Sequence, residues 1–133
     1  MTRLVLDAAT LVHLVSHDLT PAPGHQLVAP NAIRSEALQL LLDDVLAGRR
    51  DERAALRTHE RLTGVKIRLL GDRVSRATAW RIARDQGWPA LRDAEYLAVT
   101  RLQADALVTL DAGLAAKAAG IVAVAPLETL LSD

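Results

Sequence analysis

Short apolar runs alternate along the chain with longer segments of helical periodicity, and this alternation limits the fold more than any other feature of the sequence. Residues 3–6, 106–109 and 121–124 are predicted strands because they are short and mostly apolar. Strands without a polar face are typical of parallel sheets that helices cover on both sides. The sequence therefore predicts an α/β fold, a three-layer α/β/α domain with a small, mostly parallel sheet.

Capping residues and helix breakers define the helices between these strands. Asn31 follows Pro30 and is a favourable N-cap, and Gly48 ends the helix that begins there. The predicted helices span residues 8–16, 31–47, 51–62, 72–86, 93–102 and 111–119, with a loop at 20–25 and a last turn after Pro126. Because no repeat or linker interrupts this order, residues 1–133 are predicted to form a single domain.

Composition excludes several classes of protein. The 16 basic and 16 acidic residues leave no net charge, so any contact with nucleic acid must come from a local patch. The absence of cysteine excludes disulfide frameworks, cysteine-ligated metals and cysteine nucleophiles. Two tryptophans and one tyrosine are too few for a base-stacking platform. With no apolar run near the roughly 18 residues of a membrane span and no signal-peptide pattern, the protein is predicted to be soluble and cytoplasmic.

Two acidic residues follow predicted strands. Asp7 comes directly after the first strand, and Asp111 follows the run that ends at Leu110. The carboxyl ends of parallel strands line the ligand crevice of an open sheet, so these two carboxylates are candidates for a site there. A helix follows each of them, and aspartate is also a favoured N-cap, so a purely structural function is the alternative.

Two further acids lie on predicted helices. Glu36 falls between Ile33 and Leu40 on the face that should be buried, where a carboxylate needs a cation or hydrogen-bond donors. A salt bridge to a neighbouring arginine would satisfy it equally well. Asp93 begins its helix on the face of Tyr96 and is either a cap or a ligand.

The four acids together suggest a metal site. Two carboxylates about 4 Å apart repel by about 4 kcal/mol at an effective dielectric constant of about 20, so a cluster of them needs positive charge. Oxygen ligands of this kind suit Mg²⁺ or Mn²⁺, and such an ion can activate water against a phosphate.

The segments around these acids resemble the four acidic motifs of PIN domains, and most closely those of the VapC toxins of bacterial toxin–antitoxin pairs. The matching segments are LVLDA at 4–8, VAP at 28–30 with SEAL at 35–38, DAEYLAV at 93–99, and LVTLD at 107–111. The resemblance covers nearly the whole chain in the family's order. It implies a metal-dependent endoribonuclease that acts on structured RNA such as tRNA, leaves 5′-phosphate and 3′-hydroxyl ends, forms a homodimer and is inhibited by a cognate antitoxin.

The resemblance also implies functions for single residues. Asp7, Glu36, Asp93 and Asp111 fall on the family's acidic positions. Asp7, Asp93 and Asp111 are expected to bind Mg²⁺, with Mn²⁺ as an alternative and a second ion as an option. Glu36 is expected to complete the shell or to orient the attacking water.

Three neighbouring residues bear on how these acids are held. Thr109, two residues before Asp111, is expected to orient that carboxylate, and the family often has a hydroxyl there. Thr10 is the nearest hydroxyl after Asp7, where the family often has serine or asparagine one residue after the acid. Arg92 stands where these toxins often have tyrosine.

An arginine stripe is a second candidate surface. Arg49, Arg53 and Arg57 recur every four residues and are candidates for contacts with RNA phosphates. A solvated helix face interleaved with acids is the alternative. The helices over residues 31–62 are apolar almost all round, which favours either a groove for the antitoxin or a second layer of the core.

Two other functions fit the pattern of acids. One is a PIN fold that binds protein without turnover. The other is a receiver-like signalling domain that accepts phosphate on an aspartate, although neither Lys66 nor Lys117 follows a convincing strand as that class requires.

Overall fold

The computed structural model describes residues 1–132, so Asp133, the last residue of the predicted domain, lies outside the described residues. The strands are β1 (Thr2–Leu6), β2 (His25–Pro30), β3 (Arg68–Leu70), β4 (Ala106–Val108) and β5 (Val124–Ala125). They form one sheet in the order β3-β2-β1-β4-β5, and every neighbouring pair is parallel. The sheet order places β1 at the centre, where the first acid of the sequence follows it.

Helices connect the strands. They are α1 (Ala8–Ser16), α2 (Ile33–Leu46), α3 (Glu52–Thr63), α4 (Arg73–Gln86), α5 (Arg92–Gln103), α6 (Ala112–Ala118) and α7 (Glu128–Leu131). Asp7, Asp51, Asp72 and Asp111 cap four of them by accepting bonds from backbone N–H groups of the first turn. Within residues 1–132, no helix is long and apolar enough to cross a membrane.

Two apolar cores lie on opposite faces of the sheet. Leu4 and Leu6 of β1 point into one core, whereas Val5 points into the other. Helices α1, α2 and α3 contribute Leu11, Ile33 and Leu62 to the first core, and α4, α5 and α6 contribute Ile82, Leu97 and Leu114 to the second. The predicted three-layer α/β/α fold is therefore confirmed, and the sheet is parallel throughout.

The sequence patterns miss β2 and β3. The buried run of β2 is short and ends at Pro30, which has no N–H for a ladder but stands as the last residue of the strand. Strand β3 has only three residues, none of them buried, and it forms because Val28–Pro30 offers a backbone partner to Arg68–Leu70. Neither strand shows the periodicity that identifies β1.

Three predicted boundaries are wrong. Asn31 does not cap α2, because its N–H donates to the carbonyl of Leu70 at 2.9 Å and continues the pairing of β2 with β3; α2 begins at Ile33 with no side-chain cap. Strand β4 ends at Val108, one residue earlier than expected. The N–H groups of residues 121 and 122 both donate to the carbonyl of Ala118 and close α6, so β5 begins only at residue 124.

Candidate functional site

The four predicted acids stand at the starts of four helices. Asp7 joins β1 to α1, and Asp111 lies three residues beyond β4 at the start of α6. Glu36 is in the first turn of α2 and Asp93 in the first turn of α5. Asp7 and Asp111 are N-caps, so the structural function considered for them is confirmed. A cap uses only part of the hydrogen-bonding capacity of a carboxylate, so the capping bonds do not decide between the two functions.

Asp7 is the most deeply buried of the four. Its residue exposure is 0%, and Oδ1 accepts bonds from the backbone N–H and the hydroxyl of Thr10. Oδ2 accepts a bond from the hydroxyl of Thr109 at 2.7 Å. No lysine, arginine or histidine in the described part of the chain forms an ion pair with it. A buried carboxylate held by uncharged donors alone is costly, because burial removes the water that stabilises its charge.

The expected contact of Thr109 is wrong in one respect. Its hydroxyl donates to Asp7 and accepts a bond from the backbone N–H of Asp111 at 3.0 Å, so it does not bond the Asp111 carboxylate. Thr109 lies just beyond β4, where it bridges the two strand-end acids. Thr10 completes the bridge by accepting a bond from the N–H of Leu110 at 3.1 Å. The two threonines therefore fix the position of Asp7 relative to Asp111.

Replacing Thr109 by valine is expected to lower the free energy of unfolding by about 1–2 kcal/mol, because the isosteric side chain removes a donor from a buried carboxylate. Urea denaturation measures this change. Thr100→Val is the matched control, since among the described residues the Thr100 hydroxyl bonds only the carbonyl of Tyr96, and its effect should be smaller. An equal loss in both variants would contradict the importance of the Thr109 bond to Asp7.

Glu36 and Asp93 are joined by Arg92. Its Nε donates to Oε2 of Glu36 at 2.9 Å, and its Nη1 donates to Oδ1 of Asp93 at 2.9 Å. The Nζ of Lys117 reaches Oδ2 of Asp93 at 2.8 Å. The hydroxyl of Tyr96 also donates to Oε2 of Glu36, at 3.2 Å. The salt bridge considered for Glu36 is thus confirmed, with Arg92 as its partner.

Electrostatic interactions link Asp7 to the cluster around Glu36 and Tyr96. Burial raises the pKa of Glu36, against the opposing effects of Arg92 and Tyr96. Burial and the charge of Glu36 raise the pKa of Tyr96, and the charge of Asp7 adds to this. The Tyr96 hydroxyl therefore stays neutral and donates a hydrogen bond to Glu36. Asp7 lies close enough for its charge to raise the pKa of Tyr96. Burial opposes the charge of Arg92, but the nearby carboxylates of Glu36 and Asp93 outweigh it and raise its pKa.

The raised pKa of Glu36 predicts a pH dependence. A carboxyl whose pKa is higher in the folded state favours folding fully below the unfolded value and loses that contribution as pH rises through the folded value. The free energy of unfolding should therefore fall as pH rises above 4.5, the ordinary pKa of a glutamate side chain. Glu36→Gln should flatten this part of a urea-denaturation pH profile, and an unchanged profile would contradict the shift.

The four carboxylates are ligands of the kind that a hard divalent cation prefers, but their side chains are not arranged as a preformed metal site. No group of three or more acidic or histidine side chains among the described residues is close enough to hold a metal ion. Arg92 and Lys117 supply two positive charges, which pair with Glu36 and Asp93 and, among the described residues, not with Asp7 or Asp111. If all four are ionised, two negative charges remain unbalanced, which equals the charge of one Mg²⁺. Oxygen-only donors also match the ligand preference of that ion.

Sequence reasoning missed the two cations and Tyr96 as parts of this cluster. Arg92 is adjacent to Asp93 in sequence, so a local ion pair was the one available signal. Lys117 lies on α6 and Tyr96 within α5, and their contacts with Asp93 and Glu36 depend on how the helices pack. No spacing rule could have found these two.

The arginine stripe is only partly free. Arg49 pairs with Asp44 at 3.0 Å, so it is held by an acid of α2. Arg53 and Arg57 are exposed and form no ion pair within residues 1–132. Two of the three predicted RNA contacts are therefore available to a ligand, and none of the three contacts the four acids.

The apolar residues of α2 occupy two different environments, which supports both a layer of the core and an exposed apolar groove. Ile33 and Leu41 are buried in the first core. Leu38, Leu42 and Leu46 form a stripe with exposures of 43%, 49% and 75%. Helix α2 therefore contributes to the core on one face and presents leucine on another.

Two cavities in the described structure bear on the position of the site. One of about 870 Å³ lies beside the amino-terminal ends of β1 and β2 and contains none of the four acids. Another of about 180 Å³ lies where β2 and β3 end, against α4 and α5. The smaller cavity is also not lined by any of the four acids, but it lies at the carboxyl-terminal edge of the sheet and is lined by Glu95, two residues from Asp93.

Comparison with known proteins bears on the fold. No family model matches the sequence, and no curated protein matches it. The crystal structure of PAE2754 from Pyrobaculum aerophilum is similar, with a TM-score of 0.71 and 26% sequence identity. The match covers 98% of this chain and 94% of that chain. The α/β architecture is thus shared with a solved structure over almost the entire length.

Proposed function

We propose that this protein is a magnesium-dependent endoribonuclease of the PIN-domain class, similar to the VapC toxins of toxin–antitoxin pairs. The observation that carries the proposal is Asp7, a completely buried carboxylate without a cationic partner in the described chain. It shares a threonine bridge with Asp111. A divalent cation, either Mg²⁺ or Mn²⁺ in its place, would supply the missing positive charge.

Each residue has a distinct function in the proposed reaction. Asp7, Asp93 and Asp111 would hold the ion, which supplies polarisation of the phosphodiester and a lower pKa for a water molecule. Glu36 accepts from Arg92 and Tyr96 through Oε2, which leaves Oε1 to orient the attacking water. The further N–H groups of Arg92 are suited to a phosphate oxygen.

Cleavage of total RNA tests this proposal directly. Purified protein should cut RNA in the presence of Mg²⁺ or Mn²⁺, leave 5′-phosphate ends, and lose activity in EDTA. If no cleavage occurs with either ion, the endoribonuclease proposal fails. That result would favour a PIN fold that binds protein without turnover, which the pairing of Arg92 and Lys117 with the acids supports.

Arg53 and Arg57 provide a prediction about RNA binding. Replacing both by glutamine should weaken binding at low salt and make the plot of log affinity against log salt shallower by about 1.4, since each phosphate contact to a single strand contributes about 0.7. Filter binding at several salt concentrations measures the slope. An unchanged slope would assign these arginines to a solvated face.

The proposed partners follow from the same likeness. A cognate antitoxin would inhibit the enzyme, and a second copy of the chain would form a homodimer, in the cytoplasm. The exposed leucines of α2 support a protein contact because exposed apolar stripes of this kind often mark interfaces.

A further inference from the structure

The smaller cavity has the dimensions of a subsite for one ring system. Its volume of about 180 Å³ is below the roughly 300–1,000 Å³ of a pocket for a drug-sized ligand. Pro30, Leu70 and Val99 provide apolar walls, and Asn31, Arg76 and Glu95 provide polar groups. A flat apolar body with a hydrogen-bonding edge fits this combination.

The polar groups of the cavity are available to a ligand. Glu95 is partly buried, yet its carboxylate forms no hydrogen bond or ion pair with any described residue. Arg76 donates to the carbonyl of Gly71, and its charge acts on Asp72, but it forms no salt bridge with any described residue, and Glu95 lines the same cavity. The side-chain amide of Asn31 is also without a partner among residues 1–132. A carboxylate, a guanidinium group and an amide at one cavity offer a ligand both hydrogen-bond acceptors and donors.

The cavity adjoins the candidate site. Glu95 is two residues from Asp93, and its charge is close enough to contribute to raising the pKa of Glu36. Asn31 is the residue after β2, and Glu36 lies in the first turn of the helix that follows. A ligand in the cavity would therefore be continuous with a phosphodiester placed at the acids.

The chemistry of the polar groups selects among the bases. A carboxylate only accepts hydrogen bonds, and guanine presents two adjacent donors, N1–H and the N2 amino group, on its Watson–Crick edge. An arginine side chain donates to the O6 and N7 acceptors of the same base. Adenine and cytosine each offer one amino group, and uracil offers one imino N–H, so none of them matches both groups as well.

We propose that this cavity binds a guanine base of the RNA substrate, with Glu95 accepting from its N1–H and N2 amino group and Arg76 donating to its acceptor edge. The inference rests on the proposed function, because it assigns a base preference to that enzyme. A site that pairs with specific polar groups discriminates strongly against ligands without those groups, so the preference for guanine should be measurable.

Binding of mononucleotides separates this inference from the activity. Protein labelled with ¹⁵N is titrated with GMP, AMP, CMP and UMP in EDTA, and amide shifts near Asn31, Gly71 and Arg76 are followed. GMP should shift them at concentrations at least tenfold lower than the other three. Glu95→Gln and Arg76→Gln should each weaken GMP binding about tenfold, whereas Glu60→Gln, on the exposed face of α3, should not.

The cleavage pattern then assigns the base to RNA. Sequenced products from a random RNA pool should show guanine enriched at one position near the cut, and Glu95→Gln should reduce that enrichment. Equal response to all four nucleotides, or shifts that arise with phosphate alone, would overturn the guanine subsite. Cleavage without a guanine preference would also overturn the guanine subsite but would leave the endoribonuclease proposal intact. GMP binding without cleavage would overturn the endoribonuclease proposal but not the guanine subsite.

Discussion

Asp7→Asn is expected to reduce RNA cleavage by about a thousandfold or more while the protein stays folded, because losses of this size follow the removal of central catalytic groups. Asparagine has the same shape as aspartate, so the buried space stays filled. One oxygen remains to accept the bonds from Thr10 that cap α1. What is lost is the negative charge, which is the property that a divalent cation requires.

The matched control is Asp51→Asn. Asp51 caps α3 by accepting a bond from the N–H of Ala54 at 2.7 Å, so the chemical change is the same at an exposed cap. Both variants should retain the circular dichroism spectrum and cooperative thermal unfolding of the parent protein. Only Asp7→Asn should lose cleavage, and undiminished cleavage by that variant would contradict the proposed site. The same comparison excludes a contaminating ribonuclease, which would persist in both preparations.

The double variant Arg92→Gln/Lys117→Gln is expected to bind Mn²⁺ about a hundredfold more tightly. Each of these side chains carries a positive charge beside Glu36 or Asp93, where it competes with a metal ion and repels it. Even at a water-like dielectric constant, a unit cation several ångströms from a divalent ion costs on the order of 1–2 kcal/mol. Two such charges amount to on the order of 2–4 kcal/mol, and each 1.4 kcal/mol is tenfold in affinity.

Calorimetric titration with Mn²⁺ measures this effect. Lys66→Gln/Arg68→Gln is the matched control, because both residues are exposed, border the large cavity and contact none of the four acids. The control removes the same net charge and should change Mn²⁺ affinity far less. In the absence of metal, the site variant should also be less stable than the control, since Glu36 and Asp93 then lack their cationic partners. Equal affinities in the two double variants would show that Arg92 and Lys117 do not compete with the ion.

The architecture could be predicted from the sequence because it depends on local patterns, and the same patterns place Asp7 and Asp111 near strand ends. The apolar run before Asp7 identifies β1, and a strand end in a parallel sheet identifies the edge where a ligand binds. Strand β3 could not be predicted, since it has no apolar run of its own and depends on pairing with β2. Asn31 shows the same limit, because a good capping residue was used for the backbone pairing of the sheet.

The electrostatic arrangement of the site could not be predicted for a different reason. The bond from Arg92 to Glu36 joins residues 56 positions apart, and the bond from Thr109 to Asp7 joins residues 102 positions apart. Such contacts depend on the sheet bringing together the first turns of α2 and α5, which lie on its opposite faces, and on the pairing of β1 with β4. Sequence spacing indicates which face of a helix a side chain occupies. The pairing of Arg92 and Lys117 with Glu36 and Asp93 depends instead on how the elements pack in three dimensions.

The location of a bound divalent ion is the most direct test of the central claim. Mn²⁺ added in small steps to ¹⁵N-labelled protein broadens the amide signals nearest to it. The signals around Asp7, Asp93 and Asp111 should broaden first, and Asp7→Asn should abolish this selective effect. Broadening that begins elsewhere, or that is the same in Asp7→Asn as in the parent protein, would contradict a metal site at these carboxylates.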